Sequence, residues 1–181
     1  LRRQAAGAMT ARATVHASAV LVGERAVLIR GPSGSGKSRL AFELILAGRS
    51  GQVPPAILVG DDRVHLDTGS GNLIVRPARE LAGLIEIRGL GIRRIKHVGE
   101  ATVGLVVDLG AEDADRLPAA EALIIRINGV NIPRIPVDLR YAPLPLIVAA
   151  LTTTDGASPS QPSTDCPKGI ANHISPTIAT E

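Results

Sequence analysis

The chain has 181 residues, 45% of them hydrophobic, and a formal net charge of +3 at neutral pH. That length suits one sizeable core rather than two domains, the modest charge gives no sign of a nucleic-acid-binding surface, and no apolar run nears the roughly 18 residues that span a bilayer. The one cysteine, Cys166, excludes an internal disulfide and a cysteine-built zinc site, which fits a reducing cytoplasm.

Phe42 and Tyr141 are the whole aromatic complement. The core is therefore expected to be Val, Ile, Leu and Ala, as suits α/β layers, and recognition of single-stranded nucleic acid by stacking on aromatic faces is not available. Residues 1–12 read as a flexible terminus; Leu1-Arg2-Arg3 carries charge, but the apolar region of a signal peptide does not follow it. A first strand is predicted over 13–22. Gly23-Glu24-Arg25 then turns the chain into a short apolar strand over 26–29.

That strand runs straight into Gly31-Pro32-Ser33-Gly34-Ser35-Gly36-Lys37-Ser38, which satisfies GxxxxGK[ST] at every required position. The glycines let successive backbone N–H groups point into one concavity, Lys37 reaches terminal phosphates, and the Ser38 hydroxyl is suited to Mg²⁺. Apolar residues then recur at helical spacing over 38–47, so a helix N-terminus is expected to face the phosphates and add its dipole. Breakers fill 48–55, and a buried strand over 56–59 ends in Gly60-Asp61-Asp62. An acidic pair at that place fits a carboxylate serving metal or nucleophile, and equally an ordinary strand-end turn. Successive side chains on a strand point opposite ways, so at most one of the pair is expected to face the phosphates.

A hairpin is predicted for 64–67 and 73–76, joined by Thr68-Gly69-Ser70-Gly71. Strands are predicted at 84–88 and 102–109. Glu86 lies between two isoleucines; a charge there calls for a metal or arginine partner, unless the run is an edge strand with Glu86 and Arg88 both outward. A second hairpin is centred on Asn128-Gly129, a closing helix is predicted over 142–151, and residues 152–181, rich in Ser, Thr and Pro, read as a disordered tail. The folded domain is thus placed at 13–151.

The phosphate loop, Gly60-Asp61-Asp62-Arg63-Val64 and above all Leu84-Ile85-Glu86-Ile87-Arg88-Gly89-Leu90-Gly91-Ile92 resemble the catalytic domain of HPr kinase/phosphorylase, over about residues 13–150. The resemblance implies an α/β fold: a single P-loop kinase domain with a mixed β-sheet, of the PEP carboxykinase-like kind. It implies ATP and Mg²⁺ as cofactors, with Lys37 on the phosphates and Ser38 and Glu86 on the metal. Asp62, with Asp61 beside it, is implied as proton acceptor from a serine hydroxyl of the phosphocarrier HPr. In the reverse direction it is the proton donor, while inorganic phosphate attacks phosphoserine and pyrophosphate forms. His16 matches the histidine that precedes the loop and lies near the phosphates in the family; without that match a structural histidine is the commoner reading. Arg116, in Asp115-Arg116-Leu117, resembles the family's catalytic arginine, against the alternative of a solvated helix face.

The resemblance further implies a cytoplasmic regulator of the phosphotransferase system, hexameric as the family is, without nucleic-acid or membrane partners. The length leaves no room for the N-terminal domain of longer members, so the likeness is to the short, catalytic-domain-only form. Arg39 stands where the family has Glu, the connection after the loop helix is longer by an insertion near 51–55, and 135–141 follows the family's PVRPGR-like segment only in part. An ATP-sensing regulatory module with little turnover and a small-molecule kinase are the other function classes that this loop fits.

Overall fold

The computed structural model describes residues 14–154. The expected flexible N-terminus, nearly all of the expected disordered tail and Cys166 lie outside the described residues. The predicted first strand is two strands, β1 (Thr14–His16) and β2 (Ser18–Val22), separated by the buried Ala17. The break lets neighbouring segments serve different partners. β2 pairs antiparallel with β3 (Arg25–Arg30) on one side and β4 (Ala56–Gly60) on the other, while β1 pairs with β5 (Arg63–Gly69).

Between β3 and β4 runs α1 (Lys37–Arg49), its buried positions Lys37, Leu40, Ala41, Leu44 and Ile45 forming the stripe expected of a helix lying on a sheet. β5 and β6 (Asn72–Pro77) form the first hairpin, with a tighter connection than expected. Ser70 and Gly71 both have positive φ, 51° and 78°, so two residues suffice. β7 (Leu84–Ile87) pairs with β8 (Gly91–Arg94), a strand the sequence reading did not separate, in a two-stranded sheet of its own. β9 (Ala101–Leu109) then returns to the main sheet, β10 (Ile124–Ile127) and β11 (Val130–Val137) form the expected Asn128-Gly129 hairpin, and α2 (Pro143–Thr152) closes the fold with Pro143 at its start.

Among the described residues, nine strands make one mixed sheet in the order β1-β5-β6-β9-β3-β2-β4, with β11 also beside β9 and β10 beyond it. β9 is parallel to both β3 and β11 and antiparallel to β6. Alternation along the strands builds a core on each face. Val27 and Ile29 pack with Leu40 and Leu44 under α1, and Ala26 and Leu28 pack on the opposite face with Leu73 and Val75. These cores are Val, Ile, Leu and Ala as expected, with Phe42 only at the margin.

Two irregularities aim the sheet. Opposite Ala26 and Val27, β9 carries one extra residue, Gly104, which moves Val103 to one face and Leu105 to the other. A Cβ on Gly104 would come within 2.6 Å of the Arg25 Cβ, so glycine suits this bulge. The second shift lies between β2 and β4, where Ala19 pairs with Gly60 but Val20 with Leu58. It falls just before Asp61 and bends the end of β4 as the chain enters the acidic pair.

Candidate active site

The phosphate loop hangs between the end of β3 and the start of α1. Gly31, Gly34 and Gly36 have φ of 147°, 79° and 94°, conformations that residues with side chains rarely adopt. A Cβ on Gly31 would meet the Leu109 carbonyl oxygen at 2.7 Å and the Ser35 Oγ at 2.8 Å, so the loop rests directly on the end of β9. Gly36 caps α1, whose first intrahelical bond runs from the Leu40 N–H to the Gly36 carbonyl at 2.9 Å. The amides of the first turn are therefore free to face an anion.

Lys37 is 5% exposed and donates from Nζ to the carbonyls of Gly31 (3.0 Å) and Pro32 (2.9 Å). Burial pushes its ammonium below the ordinary lysine range, while the Asp61 and Asp62 carboxylates act in the opposite direction. Ser35 Oγ is buried without a hydrogen-bond partner, an unmet polar atom inside the loop. Ser38, on the first turn of α1, is half-buried. Free amides, a buried ammonium and an unmet hydroxyl gathered in one loop fit a polyphosphate.

The acidic pair divides into two unlike residues. Asp61 is 3% exposed; it accepts the Ser18 hydroxyl at 2.5 Å on Oδ1 and the Glu86 backbone N–H at 3.1 Å on Oδ2. Its carboxylate ties β2, the end of β4 and β7 together. Asp62 is the central residue of a three-residue turn in which the Arg63 N–H donates to the Asp61 carbonyl at 2.8 Å, with φ of 65° at Asp62 itself. This is a strained γ-type turn, and such strain concentrates where a side chain must be presented. The Asp62 carboxylate is 56% exposed, 3.4 Å from His16 Nε2 and 3.7 Å from Arg63 Nε. β1–β5 pairing brings His16 there, opposite Arg63.

Glu86 has an exposed side chain, as has Arg88, so its charge sits on the open face of β7 and not among the neighbouring isoleucines. Its backbone N–H donates to the Asp61 carboxylate. Among the described residues no three His, Cys, Asp or Glu side chains cluster as a metal cage. Mg²⁺ takes one or two protein oxygens and completes its shell with phosphate and water; the Ser38 hydroxyl on the first turn of α1 and the exposed Glu86 carboxylate are oxygen donors of that kind. Arg116 lies exposed in an irregular loop after β9 rather than on a helix face.

A charged network escaped the sequence reading. Asp108 accepts a bidentate pair from Arg30, from Nε and Nη2 at 2.7 Å each, and a third bond from Arg134 Nε at 2.5 Å. Arg134 also grips Asp113 bidentately, at 2.6 Å and 2.9 Å, and donates to the Ala122 carbonyl at 2.9 Å. Burial works against the Asp108 charge, but the two guanidiniums overcome it and hold the carboxyl below its usual range. An apolar strand ending in aspartate beside the phosphate-loop strand resembles a metal-site carboxylate in sequence; here the carboxylate is taken by arginines.

A cleft of about 420 Å³ lies toward the other end of α1 and is lined by Ile45, Arg49 and Ile57 among others. Among the described residues no helix is long and apolar enough to cross a membrane.

Residues 7–148 match the family model of the HPr Serine kinase C-terminal domain. The HPr kinase/phosphorylase of Neisseria meningitidis is 34% identical over 148 residues, covering 77% of this chain and 43% of that protein. That of Enterococcus faecalis is 35% identical over 146 residues, covering 74% of this chain and 44% of that protein. The chain thus spans less than half the length of these curated relatives. The solved Hpr(Ser) kinase/phosphatase of Coxiella burnetii superposes with a TM-score of 0.61 at 28% identity, covering 77% of this chain and 93% of that one. With the matched segment spanning the loop, the acidic turn and β7 alike, the chain belongs to the HPr serine kinase C-terminal domain family.

Proposed function

We propose that this chain is a Mg²⁺/ATP-dependent protein-serine kinase that phosphorylates the phosphocarrier HPr and also phosphorolyses phosphoseryl-HPr. The observation that carries the reading is the exposed Asp62 carboxylate, presented by a strained turn 3.4 Å from His16 Nε2, in a fold whose phosphate loop holds a buried Lys37 ammonium. Lys37, the free amides of α1 and the Ser35 hydroxyl hold and orient the polyphosphate. Ser38 and Glu86 would hold Mg²⁺, which when bound neutralises charge on the phosphate oxygens. Asp62 accepts the proton of the incoming serine hydroxyl, and His16 Nε2 stands 3.4 Å from its carboxylate. In reverse, Asp62 returns that proton to the serine oxygen as the P–O bond breaks and inorganic phosphate becomes pyrophosphate. Asp61, with both carboxylate oxygens engaged, positions the turn and β7 rather than exchanging protons.

The test is to incubate the chain with Mg²⁺-ATP and HPr and read the intact carrier by mass spectrometry. One added phosphate on serine is expected, removed again by excess inorganic phosphate with release of pyrophosphate. Tight ATP binding without transfer would replace this reading with that of a nucleotide sensor, and transfer to a metabolite alone with that of a small-molecule kinase.

A further inference from the structure

We infer that Asp113 and Arg134 are positioning residues for phosphoryl transfer: they anchor the loop that carries Arg116 to the same charged network that braces the phosphate loop. The inference rests on the kinase reading and on Arg116 being the catalytic arginine that the family resemblance implies. The loop leaves β9 at Leu109, the residue on which Gly31 rests, and its first amides, Gly110 and Ala111, donate to the Val137 carbonyl at 2.7 Å and 3.2 Å. Beyond that point the Asp113 carboxylate tethers the loop to the body of the fold, held by two parallel bonds from Arg134.

Arg134 is 13% exposed and shares Asp108 with Arg30, the residue immediately before Gly31. One continuous chain of charge-assisted bonds therefore joins the start of the phosphate loop, the end of β9 and the Arg116 loop. Bidentate arginine–carboxylate pairs fix angle as well as distance. Arg116 follows Asp113 by three residues, at most about 10 Å of extended chain, so the anchor limits where its guanidinium can reach. Asp113 is itself 49% exposed, and its pairing closes no core. A half-exposed carboxylate held by a largely buried arginine suits a loop that must be placed, not a fold that must be glued.

The experiment compares Asp113→Ala, Asp113→Glu, Arg116→Ala and the double variant Asp113→Ala/Arg116→Ala, each in the full chain. Equilibrium ATP binding and single-turnover transfer to HPr are measured for each. Asp113→Ala is expected to leave ATP affinity within about twofold and to lower the transfer rate roughly 10- to 100-fold, the size of loss that follows a misplacement of about 1 Å. Asp113→Glu is expected to restore part of the rate. In the Arg116→Ala background, Asp113→Ala should have no further effect, because the anchor acts only through that arginine. Full wild-type transfer by Asp113→Ala, or an undiminished loss in the Arg116→Ala background, overturns the inference while leaving the kinase reading intact. A wild-type chain that transfers nothing overturns the kinase reading itself, and the inference with it.

Discussion

His16 Nε2 lies 3.4 Å from Asp62 Oδ1, and the two residues reach each other by unrelated routes: His16 through the register of β1 on β5, Asp62 through a left-handed backbone at the exit of β4. Neither route is available to Asp61, whose carboxylate faces inward to Ser18 and to the backbone of Glu86. Adjacent aspartates, alike in sequence, are thus split into an inner anchor and an outer, exposed carboxylate by the alternation of a strand followed by one strained turn.

That split gives opposite outcomes for the same isosteric change. Asp62→Asn is expected to lower transfer at least about 100-fold, the scale of a lost general base, with stability changed by no more than about 0.5 kcal/mol because the site is exposed and Asn tolerates positive φ. Asp61→Asn is expected to lose about 1–3 kcal/mol of stability, since the amide gives up the charge and can accept from the Glu86 N–H only by turning its NH2 to Ser18, whose hydroxyl must then accept instead of donate. Urea midpoints read beside single-turnover transfer check both. Asp62→Asn retaining wild-type rates would remove Asp62 from the chemistry.

Gly31 and Gly34 offer a second contrast within one loop. Alanine at 31 must both hold a φ near 147° and place its Cβ 2.7 Å from the Leu109 carbonyl oxygen, so the loop has to move off β9. Gly34 has φ of 79° but open space around the position of a Cβ. Gly31→Ala is expected to lose about 2–4 kcal/mol and measurable ATP binding, Gly34→Ala about 1–2 kcal/mol from backbone strain alone. Thermal unfolding with and without ATP separates the two.

The local parts of this design were readable in the sequence because local rules set them. GxxxxGK[ST] between a strand and a helix, the Asn128-Gly129 turn and the alternating apolar strands each follow from backbone preference and periodicity. The missing pieces depend on pairing across the sheet. β8 is short, and all four of its residues are exposed, so no apolar pattern announces it. The Arg30–Asp108–Arg134–Asp113 network joins residues 78, 26 and 21 positions apart in the chain, brought together only by the parallel alignment of β3, β9 and β11. The environment of Glu86 likewise depended on whether anything would cover β7, and among the described residues its side chain stays open to solvent.

The network also fixes how the fold responds to acid. Asp108 is held below its usual range by Arg30 and Arg134 against the effect of burial, and Asp113 is held low by its bonds to Arg134. Both carboxyls bind protons more weakly folded than unfolded, so their contribution is complete above the unfolded value of about 3.9 and is lost as pH falls through the lower folded values. The urea midpoint is expected to hold between pH 7 and 5 from this source and to drop below about pH 4. Arg134→Met is expected to lose about 1–3 kcal/mol at pH 7, by removing charge-assisted bonds to Asp108, which keeps its pair with Arg30, and to the half-exposed Asp113, and to flatten that acid drop. An acid profile identical in the variant and the wild type would show that the network does not set it.

Lys37 carries the opposite sign. Burial holds its ammonium below the ordinary lysine range, only partly countered by Asp61 and Asp62, so the folded chain binds this proton less tightly than the unfolded one. Across the window between that lowered value and the unfolded 10.5, stability should therefore rise with pH. Lys37→Met keeps the length of the side chain and removes the buried charge. The variant is expected to match or exceed wild-type stability at pH 7 in the absence of nucleotide, to lose the alkaline rise, and to bind ATP at least about 10- to 100-fold more weakly, the worth of hydrogen bonds to a charged group. Urea titrations at pH 7 and pH 10 and a calorimetric ATP titration measure the three effects. A variant destabilised at pH 7 with unchanged ATP affinity would mean that this ammonium serves the fold, with the carbonyls of Gly31 and Pro32 as its true partners rather than phosphate.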